Sequence, residues 1–220
     1  MAIFIENVLD VHTLEAISEA LAAPSLFEEG KKTAGSTAKK VKNNLQSDAN
    51  SSLVKGAIRQ VEKALFSNPV FVSAAQPLKC AKIIFNRYET GMGYGEHVDD
   101  AFINGTRTDL SFTLFLSEPE SYQGGELIIK KADGDESIKL PSGSLYLYPS
   151  TSVHYVAPVT SGSRLAAVGW IQSRVRLEEH RTVLFDLVSA LKQLPDSPET
   201  NTSRLKLLQV QSNLQRLWSD

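Results

Sequence analysis

Between residues 78 and 173 the chain breaks into seven short apolar or alternating runs, none of which leaves room for a helix. They are "LKCAKIIFNRY", "DLSFTLFLS", "GELIIKK", "ESIKLP", "SLYLYPS", "SVHYVAPV" and "RLAAVGWIQS". Glycine, proline, serine or aspartate bounds each run, and these residues close strands and open turns. "ADGD", Ala132 to Asp135, reads as a hairpin turn. Closely spaced strands without intervening helices restrict this region to a sandwich, a jelly roll or a barrel.

Helical spacing governs the flanks. "DVHTLEAISEALAAP", Asp10 to Pro24, and "SLVKGAIRQVEKALFSNP" carry apolar residues three and four apart and stop at proline. The period returns in "VRLEEHRTVLFDLVSALKQL", Val175 to Leu194, and after a polar linker in "RLKLLQVQSNLQRLWSD". Leu205, Leu208, Leu214, Leu217 and Trp218 form an apolar stripe there, suited to packing within the chain or against a second copy. Between the first two helices lies a long polar loop, whose lysines 31, 32, 39, 40 and 42 read as a solvated face rather than an anion-binding patch. Long loops in compact domains often carry function, so Asn43, Asn44 and Gln46 are candidate substrate contacts.

The composition excludes several classes. Lys plus Arg is 23 against 25 for Asp plus Glu, so no overall field recruits nucleic acid or an anionic membrane. The N-terminus shows no secretory signal, and no run of about 18 apolar residues suggests a membrane span. The single cysteine, Cys80, fits a reducing cytoplasm and reads as a small core residue.

Chemistry concentrates in two stretches. "NRYETGMGYGEHVDD" places His97 and Asp99 two residues apart, and "SVHYVAPVTSGSR" places His154 ten residues before Arg164. Two histidines and one carboxylate on strand ends form the set that occupies one face of an octahedral ion in non-haem Fe(II) oxygenases. The opposite face stays open for a bidentate cosubstrate and dioxygen. Arg164, with a planar and permanently charged fork, suits a carboxylate held deep in a pocket, and Tyr88 can add a phenolic hydroxyl to it. Trp170 shares a strand face with Arg164 and reads equally as pocket lining or core. His12 and His180 read as ordinary surface residues, and glycines 91, 93 and 95 as shaping the turn that presents His97.

Those stretches, with "YQGGEL", "LYLYPSTSVHYVAPVTSGSR" and "WIQSRVR", resemble the bacterial PKHD-type hydroxylases, iron- and 2-oxoglutarate-dependent oxygenases related to prolyl and lysyl hydroxylases. The similarity extends to "TAGSTAKKVKNN" and to the "LQRLWSD" ending. It implies an α+β fold with a double-stranded β-helix (jelly-roll) core over residues 78–174, flanked by helical regions over 1–77 and 175–220. It implies Fe(II) on His97, Asp99 and His154 as the catalytic centre, and 2-oxoglutarate with its distal carboxylate on Arg164. Dioxygen as cosubstrate, L-ascorbate as a further cofactor and an association with iron uptake come with it. Asp100, Tyr155 and "SGSRLAAVGW" differ from the commoner family pattern without touching the ligand positions. The reading is a cytoplasmic hydroxylase of a peptidyl or small amino-acid-like substrate, pairing with a second copy through its terminal helices as one arrangement. The alternative is a non-catalytic sensor that binds metal and 2-oxoglutarate with the same barrel.

Overall fold

Period-two alternation along the strands of the larger sheet divides the molecule into a helix-packed face and a hollow one. The computed structural model describes residues 1–33 and 41–219. Strands in chain order are β1 Ile3–Ile5, β2 Phe27–Glu29, β3 Lys42–Asn43, β4 Leu45–Ser47, β5 Pro77–Glu89, β6 Gly93–His97, β7 Phe102–Ile103 and β8 Thr106–Arg107. They continue as β9 Leu110–Phe115, β10 Tyr122–Gly124, β11 Leu127–Ile129, β12 Glu136–Ile138, β13 Leu145–Pro149, β14 His154–Val156 and β15 Val159–Ser173. The helices are α1 Val11–Ala20, α2 Ser52–Ser67, α3 Pro69–Ala75, α4 Glu178–Gln193 and α5 Pro198–Trp218.

One sheet runs β1-β13-β9-β15-β5-β4-β2, with β10 also on β15, and a second runs β12-β11-β14-β6-β3. Strands β7 and β8 pair separately, and the pairings are antiparallel. On one face of the larger sheet Ile83, Phe85, Phe112, Leu114 and Ala167 pack under the helices, against Ile17 and Leu21 of α1, Val61 and Leu65 of α2 and Phe71 of α3. Helix α2 can do this because Val54, Ala57, Val61 and Leu65 fall on one stripe. Asn68 then starts α3, its Oδ1 accepting from the amides of Val70 and Phe71 at 3.0 Å with Pro69 at the first helical position. Phe112 meets Phe71 edge to face with ring centres 6.5 Å apart.

Alternate residues of the same strands turn toward the smaller sheet. Phe115, Tyr146 and Tyr148 join Leu127, Ile129 and Ile138 there in a second core that holds the sheets together. Beside it the space between the sheets is open.

All seven expected strands are present, and "ADGD" joins the paired strands β11 and β12. The polar stretch read as loop carries β2, β3 and β4, which edge the two sheets, and the first residues pair as β1 with β13. Each is only two or three residues long, too short to show a hydropathy period. Lys31 is exposed; Lys39 and Lys40, with most of "TAGSTAKK", lie outside the described residues. Helix α5 begins at Pro198, inside the expected linker, because Ser197 and Thr200 form a capping box around it. Its stripe remains largely open, with Leu205, Leu208, Val210 and Leu217 exposed. Trp218 docks instead by stacking on His180 at 4.1 Å, so His180 has a packing role. Among the described residues no helix is long and apolar enough to cross a membrane. Cys80 packs partly against the core, and burial followed by the charge of Glu62 pushes its thiol up to about 12, which keeps it unreactive.

Candidate metal centre

His97 closes β6 and His154 opens β14, and the two residues face each other directly across that antiparallel pair. Their rings lie 4.2 Å apart, centre to centre. Asp99 follows two residues beyond the strand. One ligand atom from each of His97, Asp99 and His154 lies within 4.8 Å of the others, and His154 Nε2 is 3.9 Å from Asp99 Oδ2. The sequence-derived triad therefore converges in space.

Local hydrogen bonds prepare each donor. His97 Nδ1 lies 2.8 Å from the Gly95 carbonyl and His154 Nδ1 lies 2.9 Å from that of Ser152. Each contact places the ring proton on Nδ1 and leaves the Nε2 lone pair for an ion. Gly95, inside β6, lets the strand pass close to Val41, since a Cβ there would sit 2.8 Å from the Val41 Cβ. Ser111 Oγ donates to Asp99 Oδ2 at 2.5 Å and is itself 2.8 Å from Ser150 Oγ. Tyr94 stacks on His97 at 3.7 Å, and Tyr148 meets His154 at 5.1 Å. Burial, then the charge of His154, pushes His97 down to about 4, so its ring is neutral and able to ligate at neutral pH.

The triad stands on the wall of a cavity of about 620 Å³. Register gives its depth. On β15, Trp170 pairs with Lys82 of β5 and Ser111 of β9, at the level of Asp99. Val168 and Ala166 follow inward, then Arg164 opposite Tyr88. Arg164 is 1% exposed, and its Nε, Nη1 and Nη2 have no hydrogen-bond partner among the described residues. Its guanidinium lies between the rings of Tyr88 at 5.3 Å and Phe115 at 5.2 Å. The buried Tyr122 hydroxyl lies beside the same guanidinium and makes no hydrogen bond of ordinary geometry among the described residues. Gly125, at φ 69°, lets the chain pass over this point, since a Cβ there would come within 3.0 Å of Arg164 Cδ. A buried guanidinium without an acceptor is costly, and a planar carboxylate would satisfy it.

Several lining residues escaped the sequence reading. Lys42, read as part of a solvated loop, is 7% exposed on β3 and enters the cavity. Gln46 lines the cavity, Asn44 is buried nearby, and Asn43 instead donates to the Gly91 carbonyl at 3.2 Å. Ser111 and Ser150, which hold Asp99, give no signal beyond Ser111's position on the cavity-facing period of β9. Trp170 lines the cavity, and His12 is exposed, as expected.

Comparison with known proteins places these observations in a family context. Residues 83–172 match the family model of the 2OG-Fe(II) oxygenase superfamily. A PKHD-type hydroxylase of Parvibaculum lavamentivorans is 46% identical over 220 residues, covering 100% of both chains. One from Acaryochloris marina is 43% identical over 221 residues with the same coverage. Among solved structures, a Pseudomonas putida prolyl-4-hydroxylase superposes with a TM-score of 0.55 at 20% identity, over 79% of this chain and 92% of that one. A Trichoplax adhaerens prolyl hydroxylase, solved with a hypoxia-inducible-factor peptide fragment, gives 0.60 at 14%, over 83% and 86%.

Proposed function

This chain belongs to the PKHD-type hydroxylases of the 2OG-Fe(II) oxygenase superfamily, and from that premise we propose that His97, Asp99 and His154 hold Fe(II) while Arg164 and Tyr88 seat 2-oxoglutarate. The family makes it a dioxygenase of the hydroxylase type, using Fe(II) and 2-oxoglutarate. The observation that carries the assignment is Arg164, fully buried and unpartnered, on the same strand face that runs up to the three clustered ligands. Two imidazoles and one carboxylate suit a divalent first-row metal with open positions, and the unpartnered guanidinium and Tyr122 hydroxyl suit a dicarboxylate.

Each side chain then has a defined task. His97 and His154 present Nε2 because backbone carbonyls hold Nδ1–H. Ser111 fixes the Asp99 carboxylate. Arg164 orients the cosubstrate through its distal carboxylate, with Tyr88 and Phe115 excluding water around the guanidinium. When bound, Fe(II) supplies oxidative decarboxylation, in which dioxygen converts 2-oxoglutarate to succinate and carbon dioxide and the second oxygen atom enters a substrate C–H bond.

The two sheets are taken as the double-stranded β-helix, centred on residues 78–174. Residues 1–77 add strands β1–β4 and helices, and 175–220 add helices. A peptidyl or amino-acid-like substrate, ascorbate as the reductant that keeps iron ferrous, a cytoplasmic setting and a link to iron uptake complete the reading and rest on the resemblance. Pairing of two copies through α5 draws support from its exposed leucines. A non-catalytic sensor is not favoured, since a binder has no use for open metal positions beside a carboxylate grip.

The test is aerobic incubation of Fe(II)-loaded protein with 2-oxoglutarate, ascorbate and pools of peptides and amino acids. Succinate formation with a substrate gaining one oxygen atom supports hydroxylation. Saturable 2-oxoglutarate binding without succinate from any pool would move the reading to the sensor.

A further inference from the structure

Two lysines enter the cavity at the level of the metal ligands, and the oxygenase reading gives them no task. Lys42 reaches it from β3, which pairs with β6 at Tyr94, and its ammonium lies 5.3 Å from the Tyr94 ring centre. Lys82 reaches it from β5, opposite Trp170 on β15. Neither lysine's ammonium has an ion pair or hydrogen bond among the described residues. Trp170 stands on β15 between Lys82 and Ser111, and its indole Nε1 is buried and also lacks a partner among the described residues. Three donors without acceptors thus line one cavity, Lys42 from the smaller sheet and Lys82 and Trp170 from the larger.

The acids of the cavity offset them only in part, Asp99 acting weakly on Lys42. Asp99 is committed to Ser111 and to the metal, and Glu96 pairs with Lys130 at 3.4 Å. Asp100 is exposed at the rim. The charge of Asp99 and the two of 2-oxoglutarate are balanced by a divalent ion and Arg164, which leaves Lys42 and Lys82 as an excess of positive charge. Burial first, then the charge of Lys82, brings the Lys42 ammonium down to about 8, as expected of a desolvated cation with a like charge nearby. A buried cation of this kind is stabilised by an anionic ligand. Arg164 lies three register steps deeper, so this is a second grip on the side from which substrate enters.

We propose that the substrate carries an oxyanion, a carboxylate or a phosphate, which docks on Lys42, Lys82 and the Trp170 indole N–H beside the metal centre. The proposal deepens the oxygenase reading and rests on it for the word substrate, while the anion subsite itself is testable without turnover. Lysine suits the task as a compact point charge that can follow a ligand moving toward the ion.

The experiment uses the full chain with Trp218→Phe, so that Trp170 is the only tryptophan, loaded with Zn(II) and saturating 2-oxoglutarate to fill the Arg164 end. Inorganic phosphate and acetate are titrated while Trp170 fluorescence is followed, with neutral acetamide as the control. The expected result is a saturable change with the anions, none with acetamide, and at least tenfold weaker binding in both Lys42→Gln and Lys82→Gln. Tighter acetate assigns a carboxylate substrate and tighter phosphate a phosphorylated one. No saturable change, or unaltered titrations in both lysine variants, would overturn the proposal. So would a signal that disappears on removing zinc yet persists in the variants, since that is ligation to the metal. Retention of the Fe(II)-2-oxoglutarate absorption band shows that the variants are folded. Loss of that band in the unsubstituted protein, with anion titration intact, would instead count against the oxygenase reading alone.

Discussion

Replacing Arg164 with methionine separates what the side chain costs the metal- and cosubstrate-free protein from what it contributes to the loaded one. The guanidinium is 1% exposed and its three nitrogens find no acceptor among the described residues. An apolar side chain of similar volume is expected to hold the stability of the ligand-free protein or raise it by up to about 4 kcal/mol, because a buried charge is removed. Binding of 2-oxoglutarate moves the opposite way. Losing the partner of a buried carboxylate costs about 3–5 kcal/mol, which is roughly a 150- to several-thousand-fold rise in Kd. Cosubstrate at about 100 times its wild-type Kd stabilises by about 2.7 kcal/mol, and for a chain of this length that raises Tm by about 5–10 °C. Thermal unfolding of Zn(II)-loaded protein with and without 2-oxoglutarate reads both effects. The variant should match or exceed the wild-type starting Tm and lose the ligand-induced rise. An undiminished rise would refute the assignment of Arg164.

Ser111→Ala removes the hydroxyl that holds Asp99 and should weaken metal affinity about 10- to 100-fold with the fold retained, measured by competition with a metal-binding dye. Phe112→Ala empties a fully buried site against Phe71 and should destabilise by about 3–5 kcal/mol in denaturant titration, whereas a loss under 1 kcal/mol would contradict the packing described. His97 is held down to about 4, below the ordinary value of 6.5, so the unfolded chain takes up its proton first as pH falls. Stability of the metal-free protein should therefore decline between about pH 6.5 and pH 4, and a His97→Asn variant should show a shallower decline in the same window.

The legible part of this molecule is the part in which apolar burial imposes a period. Strands β5, β9, β13 and β15 bury residues heavily and announce themselves, and the order His97, Asp99, His154, Arg164 along the chain carries the site. The edges were hidden for a physical reason. From β3 through β4 the buried residues are Lys42, Asn44 and Gln46, alternating with Asn43, Leu45 and Ser47, which are less buried. That is a strand period written in polar residues, and hydropathy cannot see it. The same limit concealed Ser111, which holds Asp99 and looks like any other side chain of an alternating strand, and Ser150, which backs it from the turn after β13. Helix α5 shows the reverse case, where a visible apolar stripe does not translate into burial within the chain.

The central claim is that one ion held by His97, Asp99 and His154 shares its 2-oxoglutarate with Arg164. Anaerobic visible absorption tests it most directly, on adding Fe(II) and then 2-oxoglutarate to metal-free protein. The account predicts a weak visible charge-transfer band that needs both additions, vanishes in His154→Ala and requires far more 2-oxoglutarate in Arg164→Met. Iron that binds without the band, or a band untouched by His154→Ala, would contradict it.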